Sequence, residues 1–184
     1  MIIKSYELNK IDLKKNNFFL FYGKNEGHQN EIIKQYFTDK FEGQITKYDE
    51  NEFISNNQFI VSEMMNKSLF ANNKLIIISR VSDKIFKVID DIINKDLSDI
   101  KILLKCGMLE KRSKIRSLFE KNNNLVIIPF YEDNERSLLP IINNFLTKNK
   151  INLARESINL LINRSSGNRE NLKTELNKIL NFSF

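Results

Sequence analysis

The chain has 184 residues, 41% hydrophobic and 28% charged, enough to core one domain and a small companion. No apolar run approaches the roughly 20 residues of a membrane span, and the start, Met1-Ile2-Ile3-Lys4-Ser5, lacks the apolar stretch of a secretory signal. Cys106 is the only cysteine, so an internal disulfide is excluded; a membrane protein and a disulfide-stapled secreted domain are set aside, and a cytoplasmic location is expected.

The formal net charge is +6, carried mostly by Lys. Such a charge favours approach to nucleic acid or to an acidic protein surface. The lysines are spread along the whole chain beside Asn and Ile, as a coding bias also produces. No Arg run alternates with aromatics, and no RNP-like or zinc-finger pattern is present. Weak, non-specific DNA contact is all the charge predicts.

In chain order, five strand-like runs are predicted at 18–22, 44–48, 74–79, 100–105 and 125–129. Four of them are rich in consecutive Ile, Leu, Val and Phe, which suits a parallel sheet covered on both faces. Helices are predicted between them. Their apolar residues recur at three- and four-residue spacing: Ile32, Ile33, Tyr36 and Phe37; Phe59, Ile60, Met64 and Met65; Ile85 to Ile93; Ile115, Leu118 and Phe119. Strand alternating with helix predicts an α/β, doubly wound and mostly parallel sheet. Asp83 reads as the N-cap of the helix after the third strand.

After Pro129 the strand signals stop. Helices are predicted over 138–146, 154–162 and 172–180, with Pro140 expected in a first turn, where its missing N–H is harmless. Gly167 suits a left-handed position after a helix, Asn168 the next N-cap, and Glu170 that helix's first turn. A boundary near Tyr131-Glu132-Asp133 divides the chain into an α/β domain, 1–132, and a helical domain, 133–184.

The segment from Phe19 to Asn30 is laid out like a phosphate-binding loop. Such a loop runs strand, Gly, four residues, then Gly-Lys-Ser/Thr: backbone N–H groups wrap the phosphates, the Lys neutralises charge and the hydroxyl holds Mg²⁺. Counted from Gly23, those three positions are His28, Gln29 and Asn30, so all three functional groups are missing; Lys24 and Gly27 do not restore the spacing. The carboxylates that hold the metal usually close a neighbouring strand. Here the third strand runs into Ser79-Arg80. Gly23 also fits a plain strand-to-helix turn. Together the two absences favour an NTPase scaffold without its chemistry. No catalytic residue, cofactor site or metal site is therefore expected. His28 and Cys106 are each the only one of their kind and have no partner fixed by sequence.

Ser68-Leu69-Phe70-Ala71 places an apolar pair where the chain leaves the helix predicted over 57–67. It either tucks back onto the sheet or protrudes as an anchor for a partner's pocket, with Met64 and Met65 as adaptable neighbours. Followed by a polar turn and the strand from Leu75, this motif resembles the delta subunit of the bacterial DNA polymerase III clamp loader. The strand and degenerate loop at 19–23, the basic segment Lys111-Arg112-Ser113-Lys114, and Ser166-Gly167-Asn168 with Glu175-Leu176 resemble other parts of that family in the same order.

The resemblance implies an AAA+-like first domain, a small three-helix lid, and a role in binding and opening the ring-shaped sliding clamp during DNA replication. Its Leu-Phe pair, here Leu69 and Phe70 with Ser68, Met64 and Met65 beside it, implies clamp binding without ATP hydrolysis by this subunit of the polymerase holoenzyme. The lid of active relatives has an Arg three residues after the turn glycine; that position is Glu170, and Arg169 lies one residue early. The family's third, collar domain is not in this sequence, so the chain is expected to be a fragment or a truncated homologue. Contacts with other loader subunits are expected only of a chain that carries a collar. The alternative is a small nucleotide-dependent kinase or ATPase with an atypical phosphate loop, in which Lys24 replaces the loop lysine.

Overall fold

The computed structural model describes residues 1–10, 15–65, 73–95, 97 and 99–182. By their contacts these residues form two units, Met1–Lys24 with Gln29–Phe130, and Asn25–His28 with Tyr131–Phe184. Among the described residues no helix is long and apolar enough to cross a membrane.

The apolar runs of the first unit pair as five parallel strands: β1 (Phe18–Tyr22), β2 (Gln44–Asp49), β3 (Lys74–Val81), β4 (Ile100–Cys106) and β5 (Val126–Pro129). Their order across the sheet is β2-β3-β4-β1-β5. Successive side chains of a strand point to opposite faces. Phe18, Leu20, Ile76, Ile78, Ile102, Leu104 and Ile127 therefore join one core. That core also takes Phe53 of α2 (Glu50–Ser55), Ile60 and Met64 of α3 (Asn57–Met65), Ile89 and Ile92 of α4 (Phe86–Ile93), and Ile115 and Phe119 of α5 (Lys114–Lys121). Phe19, Phe21, Leu75, Ile77, Leu103, Val126 and Ile128 build a second core. They pack with Ile32 of α1 (Glu26–Ile32) and with Ile33 and Phe37 of its π-helical continuation, Ile33–Thr38. Phe37 meets Phe19 edge-on, with ring centroids 4.9 Å apart, a geometry that adds to simple burial.

Both sheet edges are managed. Ile2 bridges to Ile127, with Ile3 N donating to Ile127 O at 3.0 Å, so the chain start covers the edge of β5. The β2 edge is mostly exposed or half-buried and carries Lys47, a charge that disfavours further strand pairing.

Two local expectations are corrected here. Asp83 does not cap the helix that follows it. Ser82 caps the short 3-10 turn Asp83–Ile85, its hydroxyl accepting from Lys84 N, while Asp83 Oδ1 accepts from Ile115 N at 3.0 Å and from Ser113 Oγ at 2.6 Å, at the start of α5. Phe59, expected on the apolar face of α3, is 69% exposed; Ile60 and Met64 carry that face.

In the second unit α6 (Glu135–Asn149), α7 (Arg155–Ser165) and α8 (Arg169–Phe182) surround Leu138, Ile142, Leu146, Leu161, Leu172 and Leu176. Asn134 opens α6 with a reciprocal cap: its side chain accepts from Ser137 N, and Ser137 Oγ accepts from Asn134 N. Pro140 lies inside α6, past the first turn, so it removes one intrahelical donor; the helix continues because its apolar face is anchored by Leu138 and Ile142. Gly167 takes φ +72°, and Asn168 Oδ1 accepts from Glu170 N and Asn171 N, capping α8 as expected.

Candidate functional site

The loop after β1 is explained first by packing. Gly23 has φ +130°, and a Cβ there would lie 2.0 Å from Phe130 O, so only glycine fits beside that backbone. Its N–H donates to Gly107 O at 2.9 Å. Gln29, at the position of the loop lysine, is fully buried. Its Nε2 donates to Gly23 O and to Cys106 O, each at 3.1 Å, so the side-chain nitrogen is spent on the protein's own backbone, while Oε1 is buried without a hydrogen-bond partner. Asn30 and Lys24 are exposed, and His28 is half-buried with its backbone N–H on Asn25 Oδ1 at 3.0 Å.

At the carboxyl end of the sheet, where open α/β folds place ligands, β3 bulges. Ile78 pairs with Leu104 but Val81 with Cys106, so the extra residue falls at Ser79-Arg80, and Arg80 takes the left-handed φ of 57°. Its guanidinium is exposed and pairs with Asp49. The next carboxylate, Glu50, is buried and accepts from Ser82 N at 2.6 Å and from Ser82 Oγ at 2.8 and 3.0 Å. Burial drives the Cys106 thiol far above its usual pKa, helped by the charges of Glu50 and Asp83, so it is not a thiolate nucleophile. Among the described residues no group of three or more His, Cys, Asp or Glu is placed to hold a metal ion.

The end of α3 leads into the predicted anchor. Ser68, Leu69 and Phe70 lie outside the described residues. Of their two expected neighbours, Met64 is 4% exposed and belongs to the core, and Met65 is 46% exposed. Lys74, at the start of β3, donates from Nζ to Glu63 O at 2.6 Å and to Met64 O at 3.4 Å. A cation on these carbonyls satisfies groups a helix end leaves open. Beside it, a cavity of about 330 Å³ is lined by Val61 and Met65 of α3 and Val88, Asp91, Ile92 and Lys95 of α4 and the turn after it.

In the basic segment Lys111, Arg112 and Lys114 are exposed, and Ser113 is buried as the N-cap of α5. Arg112 pairs with Glu110 at 2.6 Å on the surface, where such a pair contributes little.

Sequence reasoning missed three polar residues with large roles: Glu50, and Asn25 with Asp133 in the second unit. Asn25 Nδ2 donates to Tyr131 O at 3.0 Å and to Asp133 Oδ2 at 2.7 Å. The only local signal was Asn in a turn, which is common for other reasons.

No family model matches the chain, and no curated protein matches it in sequence. Solved structures do. The chain is similar to the DNA clamp loader delta protein of Bacillus subtilis at 14% identity and a TM-score of 0.60, over 96% of this chain and 56% of that one. It is also similar to AMPPCP-bound DnaA from Aquifex aeolicus at 16% identity and a TM-score of 0.62, over 95% and 59%. Domain III of the replication initiation protein DnaA of Thermotoga maritima gives 16% identity and 0.54, over 97% and 80%. The chain thus spans little more than half the length of the first of these. At such identities the likeness shows the fold alone, a five-stranded parallel sheet with flanking helices.

Proposed function

We propose that this chain is a delta-type clamp-loader module that binds the sliding clamp of DNA replication and helps open it, without hydrolysing ATP itself. Leu69 and Phe70 are the anchor, Ser68 and Met65 its flanks, and Met64 supports the helix from the core side. Contacts with other loader subunits belong to this reading only in a chain that carries a collar.

The observation that carries it is the place of Ser68-Leu69-Phe70-Ala71 in the sequence, between α3, which ends at Met65, and β3, which starts at Lys74, in a chain that shares its fold with a clamp loader delta protein. Lys74 supports it by tying down the last turn before the motif. The non-catalytic part rests on Gln29, whose side-chain nitrogen is committed to Gly23 and Cys106, and on the end of β3, where Asp49 is engaged by Arg80 and Glu50 by Ser82.

The test is titration calorimetry with the purified sliding clamp. Replacing both Leu69 and Phe70 by Ala removes burial of an apolar pair and should weaken binding by about 3–5 kcal/mol, between two and four powers of ten in Kd. An unchanged Kd overturns the Leu69-Phe70 anchor, and no measurable binding by the wild-type chain overturns clamp binding. Titration with ATP and Mg²⁺ tests the rest: saturable binding tighter than about 100 μM that Lys24→Ala abolishes favours the kinase or ATPase alternative.

A further inference from the structure

Asn25–His28 belongs by its contacts to the second unit, and one carboxylate accounts for this. The Asp133 side chain is 3% exposed. Its Oδ2 accepts from Arg169 Nε at 2.6 Å and from Asn25 Nδ2 at 2.7 Å; its Oδ1 accepts from Arg169 Nη2 at 2.9 Å and from Ser137 Oγ at 2.7 Å. Two nitrogens of one guanidinium and two neutral donors thus converge on one anion. Asn25 is 5% exposed and passes the link on, its Oδ1 holding His28 N. Gly27 completes the fit: a Cβ there would come within 3.2 Å of Glu170 Cγ and 3.4 Å of Arg169 Cβ, so the first turn of α1 lies directly on the first turn of α8.

This donor set, a forked guanidinium with an amide and a hydroxyl, is what a bound carboxylate or phosphate asks for. Here the protein supplies the anion. A buried Arg–carboxylate pair is kept only when further hydrogen bonds complete it, and removing one partner leaves an uncompensated buried charge. We propose that Asp133 is a built-in anionic ligand of the second unit, holding Asn25–His28 in place through Arg169 and Asn25. Removing the carboxylate should expose a site for a small carboxylate ion. The inference is independent of clamp binding.

The test uses hydrogen exchange of the full chain, followed by NMR at the His28 amide. Asp133→Ala should accelerate His28 exchange by about tenfold or more while the amides of β1 and β4 stay as protected as before. Formate, titrated against chloride at constant ionic strength, should restore slow exchange saturably, since a ligand of the native arrangement stabilises it by mass action. Accelerated exchange without formate dependence overturns the internal-ligand role, and unchanged exchange at His28 overturns the hold itself. Should Asp133→Ala not fold, Asp133→Asn keeps the volume and removes the charge; His28 exchange that stays at the wild-type rate in that variant overturns the proposal too.

Discussion

The side-chain nitrogen of Gln29 lies 3.1 Å from the carbonyl oxygen of Cys106, tying the helix after β1 to the end of β4. The same nitrogen reaches Gly23 O, so one buried amide serves two backbone acceptors. Gln29→Ala leaves both carbonyls without that donor and should destabilise the first unit by about 1–3 kcal/mol, the usual cost of orphaned buried polar groups. The midpoint of urea unfolding, with unchanged slope, measures it. A midpoint equal to wild type would mean that water replaces the amide without loss.

Gly23 is more demanding. With φ at +130° and a prospective Cβ 2.0 Å from Phe130 O, Gly23→Ala forces either the turn or the end of β5 to move. We expect a loss of about 2–4 kcal/mol, above an ordinary glycine-to-alanine strain because backbone rather than a side chain stands in the way. Thermal unfolding decides it. A variant as stable as wild type would show that the turn reorganises freely, and that Gly23 is not fixed by packing.

The strands were legible because they are apolar on both faces, and the cap at Asn168 because its partners, Glu170 N and Asn171 N, are two and three residues away. Asp83 was misplaced for the opposite reason. Its proximity to the next helix suggested a local cap, whereas its partners Ser113 and Ile115 are 30 and 32 residues on and are reached only once β3 and β4 pair. Glu50 and Ser82, 32 residues apart, and Asn25 and Asp133, 108 apart, are invisible to spacing in the same way. Pro140 was drawn to a first turn by propensity, and tertiary burial of Leu138 and Ile142 overrode it. At the candidate anchor, Leu69 and Phe70 stood out as an apolar pair at a helix end; that Met64 faces the core and Met65 the surface needed the helix phase, which the run of adjacent apolar residues left open.

Asp83 also sets a pH dependence. Burial raises its pKa, but the Ser113 hydroxyl, the N–H groups of Ile115 and Lys114 and the Lys114 charge together outweigh that and hold it below the usual carboxylate value. A depressed folded pKa contributes stability that is present above the unfolded value of about 4 and lost as the pH falls through the lower folded value. Asp83→Asn should therefore lose stability at pH 7, by about 1 kcal/mol as for other helix caps. The difference from wild type should shrink once both are measured below pH 3. A gap that stays constant down to acid would show that the residue's shape, not its charge, caps α5.

Met64 and Met65 separate fold from binding in the proposed clamp contact. Met64 is 4% exposed among core residues, so Met64→Ala opens a cavity and should destabilise the chain by about 2–5 kcal/mol. Met65 is 46% exposed beside the departing chain, so Met65→Ala should leave unfolding within about 0.5 kcal/mol of wild type. If Leu69 and Phe70 seat in the clamp, Met65→Ala should weaken clamp binding by about three- to tenfold, as a flank of a hot spot does. Because that contact is apolar, the wild-type Kd should change little, by about threefold or less, between 50 and 300 mM salt, since screening acts on exposed charges. Calorimetry at the two salt concentrations, with the urea midpoint of each variant, gives all four quantities. A Kd that rises steeply with salt and ignores Met65 would assign the contact to the lysines instead, and with it any association to charge rather than to the Leu69-Phe70 anchor.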